Sequence, residues 1–470
     1  MKKILLALCT CISFFGKASN NDTVIFTTLG HFYFNPFTFN SVYSPLIDRA
    51  GRPYVYAAST TVGVVIFDVS NTMSPVPTYT ITPAMMNNGD ASYCAQIGND
   101  LFVARGNLQT AGQRAGLSIF DITTPSSPTL ISQWDSAAFT HGTSQVLISG
   151  NYAYLAALDD GIIILDISNV NNIHFCSHLN MTTTSCLNNN HARGLFLSGD
   201  TLLVANDCGG LRVVNVANPY LPVQIGTYTN APAYGTGIPY YNHVWRLGDH
   251  AYIPVDYCGF EVDNVAVPAS ITNESMWNPF NCASNTWNGS DIHCNEITVD
   301  PALNGVMFVS GGDSEVLTFD PSNPNQPRLM GAWGPPNDSV GAWGLDVYNG
   351  LVAVGTIKTP GPFYSEHGGL QLLNYSYLLS VDQTPFTSES LKLYPNPSSS
   401  IVTIALPQTI DARFQIEVSD VMGNVVKAED ADANIIGRNY SLDLSSLASG
   451  VYTIRAASAH AVCAGKVVKE

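Results

Sequence analysis

The sequence predicts an all-β protein, a seven-bladed β-propeller followed by a small Ig-like β-sandwich, and three observations carry that expectation. A short apolar strand signature returns seven times, each copy is flanked by the same kinds of turn, and residues 391–470 switch to a different alternating pattern. The signature is clearest at Gly161–Ser168 (GIIILDIS), where a glycine precedes four apolar residues, an aspartate, one more apolar residue and a small polar one. An apolar run this short, bounded by glycine and a turn-forming Asp, describes a strand buried on both faces and not a helix.

Copies of it stand at Val64–Asn71 (VVIFDVSN), Leu117–Pro125 (LSIFDITTP), Leu211–Pro219 (LRVVNVANP) and Gly369–Ser376 (GLQLLNYS). A changed copy lies at Glu315–Pro324 and a degenerate one at Gly259–Val265. Their spacing of about 45 to 55 residues is that of β-sheet blades and longer than that of helical solenoid repeats. Before each anchor strand comes a hairpin with a Gly-Asn or Gly-Asp turn, as in Ser144–Gly161 and Gly194–Gly210, because those residues tolerate positive φ. After it comes a proline-containing turn and a further strand, as in Pro125–Trp134, Pro219–Tyr228 and Pro324–Trp333. Four antiparallel strands per unit, repeated radially, make a propeller. Val24–Gly30 reads as a fourth strand with no blade before it, whereas the last copy has none after it. The two ends are therefore expected to close the ring together, leaving no open sheet edge.

Composition limits what such a protein does. Of 470 residues only 12% are charged, and 19 Lys plus Arg face 36 Asp plus Glu for a net charge of −17. So few cations neutralise few phosphates, which argues against nucleic acid and anionic membranes as partners. Residues 1–18 pair a basic start at Lys2-Lys3 with a short apolar run and Gly16-Lys17-Ala18, the form of a secretory signal peptide cleaved after Ala18. No later stretch reaches the length of a transmembrane helix. Eight cysteines remain after the leader, an even number in keeping with disulfides in an exported chain. Cys176 with Cys186 and Cys282 with Cys294 each bracket a short loop, and Cys208 and Cys258 sit at like places in neighbouring units. The resulting division is a leader (1–18), a propeller (19–377), a polar linker (378–390) and a sandwich (391–470).

The anchor strands resemble the repeats of secreted bacterial β-propellers known for an LVIVD motif, in which an apolar strand ending in Asp runs into Ser-Asn-Pro. The resemblance covers about residues 50–376; it implies the fold and no particular reaction. The C-terminal segment closely resembles the sorting domain of type IX secretion in Bacteroidota. Its Tyr394-Pro395-Asn396-Pro397 start, the centre around Gly423, the stretch with Gly450 and Tyr452 and the basic end with Lys466 and Lys469 match in order. That resemblance implies export through the periplasm and across the outer membrane, recognition by the type IX machinery, and release or surface attachment of the propeller.

Catalytic signatures are missing: the chain has no Gly-x-Ser-x-Gly elbow, His-Glu-x-x-His pair, phosphate loop or dinucleotide turn. His141, His191, His243 and His293 fall at near-repeat spacing, and if they converge on the channel they offer the one cofactor expectation, a transition metal. Channel lining or rim packing accounts for the same residues without one. Asp68, Asp121, Asp166 and Asp320 recur where anchor strands turn, and an Asx side chain there caps local amides. The aromatic loops supply a binding surface, with Tyr240, Tyr241, Trp245, Trp277, Trp287 and Trp343 as candidates for glycan or protein contact. Packing between blades is their alternative use. The expectation is an extracellular or surface-held binding or adhesion module; a propeller hydrolase or lyase working through channel histidines, or a structural surface-layer component, are the alternatives.

Overall fold

In a computed structural model, the described residues are 22–378 and 391–470 apart from 107–111, 182–190, 236, 238, 280, 285, 287–289, 291, 301–304, 314–315, 335–339, 360–364, 408–409, 411–412, 421–424, 433–438 and 459–461. The leader, the linker beyond Leu378, Cys186, Trp287 and Gly423 lie outside them. Two compact units result, one spanning Asp22–Leu378 and one ending at Glu470.

The first unit holds seven four-stranded antiparallel sheets. Blade 3 shows the pattern: inner strand Gln145–Ser149, second strand Tyr152–Ala156, the anchor Ile162–Asp166 third, and outer strand His174–Leu179. Ile162, Ile163, Ile164 and Leu165 are fully buried, each contributing about 1.5–3 kcal/mol by leaving water. The anchor glycine has two physical reasons. Gly161, Gly210 and Gly259 take φ of +78°, +79° and +87°. A Cβ on them would also stand 2.3, 2.1 and 2.1 Å from an outer-strand carbonyl oxygen. The aspartates cap the following turn: Asp68, Asp121, Asp166 and Asp320 accept from the amides of Ser70, Thr123, Ser168 and Ser322 at 2.7–2.9 Å.

The ring closes as expected. Thr23–Tyr33 pairs antiparallel with Gly369–Leu378 as the outer strand of blade 7, with Thr23 opposite Leu378 and Tyr33 opposite Gly369. Seven apolar clusters fill the seven gaps between adjacent blades, including that between blades 7 and 1, where Val42 and Phe67 meet Leu370 and Leu372.

Cys258 is bonded to Cys282, 24 residues on, so neither Cys282–Cys294 nor Cys208–Cys258 forms. Cys176 is a thiol on the outer strand of blade 3, which also removes the pairing with Cys186. The hairpin order puts Cys258 at the mouth of blade 5, where the loop carrying Cys282 folds back. Bracketing a loop in sequence was the wrong criterion.

The second unit packs a three-stranded sheet (392–394, 401–405, 439–443) against a four-stranded one (425–432, 413–419, 450–457, 462–469). Val402, Ile404, Ile416, Val418, Leu442 and Ile454 form its core. Asn396 ties the start of the domain to its last strand, donating to the Lys466 carbonyl and accepting from the Val468 amide, each at 2.8 Å. Tyr452 donates to the Ala448 carbonyl at 2.8 Å.

Candidate functional site at the channel mouth

Register places one residue of each inner strand at the same depth. Ser44, Tyr93, Gln145, Gly194 and Gly344 stand opposite Ala58, Ala104, Ala156, Ala205 and Gly355 of their second strands. His243 and Glu296 hold this place in blades 5 and 6, since Asn242 and Asn295 donate to the Pro254 and Ser310 carbonyls as Ser144 does to that of Ala156. Tyr93, Gln145, His243 and Glu296 line the bottom of one cavity of about 480 Å³. Glycine fills two positions because a Cβ on Gly194 would stand 2.4 Å from the His243 Cα, and one on Gly344 2.0 Å from the Tyr43 carbonyl oxygen.

One residue earlier on each inner strand lies the rim: Tyr43, Ser92, Ser144, Arg193, Asn242, Asn295 and Trp343, all seven on the cavity wall. Ser92, Arg193 and Trp343 occupy a bulge, the extra residue that turns a side chain out of the ladder and into the opening. Thr60, Leu158 and Asp256 complete the wall from the loops after the second strands, with φ of +43°, +49° and +35°. Such backbone states in non-glycine residues concentrate at functional sites.

The electrostatics are internally balanced. Arg193 pairs with Asp207 at 3.1 Å, and His191 lies between Asp159 (3.1 Å) and Asp207 (3.5 Å). Asn242 donates to the Asn295 amide oxygen at 2.9 Å. Burial lowers the pKa of His243 to about 4, so its ring is neutral and Nε2 accepts from the Gln145 amide at 3.0 Å. Burial raises Glu296 to about 8, against the Leu345 amide that it accepts from at 3.1 Å.

Only one of the four sequence-picked histidines thus sits at the channel floor. His141 is half exposed beside Asp160, His191 lies on the wall, and His293 is buried against Asp256 at 2.5 Å with Nε2 on the Ser290 carbonyl. Among the described residues no three His, Cys, Asp or Glu side chains gather as a metal site. Near-repeat spacing failed because the histidines lie at different distances from their hairpin glycines and so at different depths.

Of the aromatic candidates, Tyr240 and Trp343 line the cavity. Tyr241 is fully buried between blades 4 and 5, Trp245 packs on Phe196, and Trp277 stacks on Phe260 and meets Phe319 edge-on. Those three are packing residues. Tyr43, Tyr93, Gln145, Arg193 and Glu296 escaped sequence reading, although one signal was present. In blades 2 to 5 the floor residue stands five positions before the hairpin glycine, as Tyr93 before Gly98 and Gln145 before Gly150.

Residues 392–470 match the secretion system C-terminal sorting domain, and residues 53–79, 89–136, 142–180 and 190–230 match the LVIVD repeat. The repeat match spans blades 1 to 4 and stops before blade 5, whose anchor strand carries Glu261 and Asp263. Among solved structures the chain is similar to the WD40 β-propeller domain of Doa1, with 12% identity, TM-score 0.49, and 76% of this chain and 97% of that one covered. The mitotic checkpoint complex gives 10% identity and TM-score 0.49 over 76% and 95% of the two chains, and the computationally designed Ika8 protein 8% and 0.45 over 74% and 98%. No curated protein matches the chain. The chain is a β-propeller that carries LVIVD repeats in residues 53–230 and ends in a type IX secretion C-terminal sorting domain, the signal for export to the cell surface or the extracellular space.

Proposed function

We propose that the protein is a binding module of a member of the Bacteroidota, carried to the periplasm by its leader and outward through its sorting domain, and that it takes a glycan at the channel mouth. The observation that carries this reading is the convergence of all seven rim positions on one cavity, with Trp343 and Tyr43 in edge contact on one side and Arg193, Asn242 and Asn295 on the other. A volume of about 480 Å³ falls in the range of small-ligand sites. An aromatic face for the apolar side of a ring, amides and hydroxyls for its polar edge, and charges already paired with each other suit a neutral, hydroxyl-rich sugar.

A glycan array probed with the mature chain is expected to retain a defined set of neutral glycans, and Trp343→Ala to lose at least tenfold in affinity, about 1.4 kcal/mol or more. An array without retained glycans would overturn the reading and turn the search to protein partners.

A further inference from the structure

Residues 31–43 (HFYFNPFTFNSVY) join the outer strand of blade 7 to the inner strand of blade 1, so they cross the mouth face from the perimeter of the ring to the channel. Their aromatic side chains divide into two sets. Phe32 and Phe34 turn inward, meeting each other edge-on at 5.6 Å, with Phe32 also 5.2 Å from the Phe67 ring in the gap between blades 7 and 1. Phe37 and Phe39 do the reverse: they are 93% and 73% exposed, more than any other large apolar side chain among the described residues. Topology does not force this, because the crossing from blade 1 to blade 2 buries Met86 completely.

The two rings are held outward by an ordered backbone. The Phe34 N–H donates to the Gly368 carbonyl at 2.9 Å and the Val42 N–H to the Thr356 carbonyl at 3.0 Å, which ties both ends of the crossing to blade 7. Between those ties Asn35 makes a turn, its side-chain oxygen accepting from the Phe37 amide at 2.9 Å and its carbonyl from the Thr38 amide at 3.0 Å. The crossing lies so close to the blade that a Cβ on Gly368 would overlap the Asn40 carbonyl oxygen, and one on Gly355 that of Val42. Lys358 braces the pair, its ammonium standing 5.5 Å from the centre of the Phe39 ring and donating to the Pro36 carbonyl. Apolar rings presented to water on a fixed backbone mark a contact surface, and their fixed position lowers the ordering cost of binding.

The ends of the crossing and its chemistry say what covers it. At the inner end it delivers Tyr43, which meets Trp343 edge-on at 5.5 Å on the cavity wall. Phe39 lies four residues away, no more than about 14 Å from Tyr43 along the chain. At the outer end Tyr33 stacks between His31 at 4.3 Å and His367 at 4.9 Å. No residue from 31 to 43 is Asp, Glu, Lys or Arg, and Asn35, Thr38 and Asn40 stand among the rings. A segment that brings no cation, on a chain of net charge −17, does not attract an anionic polymer. Ring faces with amides and a hydroxyl between them suit a row of uncharged sugar rings, each apolar on its face and polar at its edge. We infer that residues 31–43 form an aromatic track that carries a neutral polysaccharide chain across the mouth face, from Tyr43 and Trp343 at the cavity outward over Phe39 and Phe37. The inference rests on the glycan reading of the cavity and extends it from a single sugar to a chain.

Affinity measurements on the full mature chain with cello-, xylo- and manno-oligosaccharides of increasing length test this. For a series that the cavity retains, affinity is expected to rise with length and then level off. Replacing both rings, Phe37→Ala together with Phe39→Ala, is expected to lower the affinity of the longest oligomers about tenfold, to that of the shortest. The melting temperature of this double variant is expected to match the wild type, because both rings stand in solvent. Affinity independent of length, or a gain with length that survives the double variant, would overturn the track and leave the cavity site standing. Wild-type binding to phosphatidylcholine vesicles that the double variant loses would assign the rings to a lipid surface and overturn the track too. Retention of none of the three series does the same, whereas only an array empty of all glycans overturns the cavity reading.

Discussion

Deleting residues 19–33 is expected to abolish the cooperative unfolding of the propeller and to drive the mature chain into aggregates. The deleted strand supplies the outer edge of blade 7, so its loss leaves Gly369–Leu378 as a long, mostly apolar edge strand, paired only on its inner side with Leu351–Ile357. It also strips the gap between blades 6 and 7. Val24 is buried there, the Trp333 indole N–H donates to the Thr28 hydroxyl at 2.8 Å, and the Tyr377 hydroxyl donates to Asp22 at 2.9 Å. A ring gains from closure because every blade then has two neighbours; an open array leaves two apolar faces wet. Circular dichroism melts with size-exclusion chromatography read the outcome. A single substitution probes the same seam: Gly331→Ala would put a methyl 2.1 Å from the Val24 carbonyl oxygen and is expected to cost about 2–4 kcal/mol. A deleted chain that still melts cooperatively as a monomer would show that closure contributes little.

Asp263→Asn is expected to stabilise the protein at pH 8, the opposite of what replacing a buried charged residue usually does. Glu261 and Asp263 alternate along the anchor strand of blade 5, both fully buried, where blade 3 carries Ile163 and Leu165. Tyr234 donates to Glu261 at 2.7 Å and Asn273 to Asp263 at 3.0 Å, but among the described residues no cation pairs with either. Burial, and then each other's charge, push the Asp263 carboxyl far above the carboxylate range, and burial raises Glu261 as well. Both folded-state pKa values are raised, so the pair's stabilising contribution is greatest in acid and is lost as pH rises from the ordinary carboxyl range towards the folded values. An asparagine keeps a donor toward Glu261 without a proton to lose. The expected gain is on the order of 1–3 kcal/mol at pH 8, shrinking toward zero near pH 4. Urea unfolding at the two pH values decides it, and equal destabilisation at both would show that Asp263 acts through shape alone.

The fold was legible because its local requirements are written in residue type. Each blade needs a positive-φ glycine under the outer strand, a buried apolar anchor and an Asx cap, and those three recur at fixed spacing in the sequence. Closure was legible from a strand without a blade and a blade without a strand. The site was not, for a physical reason. A channel wall is assembled from one residue per blade, about 50 positions apart, and the residues share depth without sharing chemistry. Tyr93, Gln145, His243 and Glu296 form a set only through register. Histidine identity misled because His141, His191 and His293 lie at other depths, and aromatic identity misled because Trp245 and Trp277 are large enough to be needed between blades. The Cys258–Cys282 disulfide was hidden likewise: the two residues meet through the course of a mouth loop that spacing does not encode.

Calorimetric titration of the mature chain with its best-retained glycan tests the central claim most directly, because stoichiometry and site are read together. The account predicts one glycan per chain, with the binding lost in Trp343→Ala and retained in Trp277→Ala, whose ring is committed to Phe260 and Phe319. Several equivalent sites per chain, or binding that survives Trp343→Ala unchanged, would place the ligand on the blades' outer surfaces and contradict a site at the channel mouth.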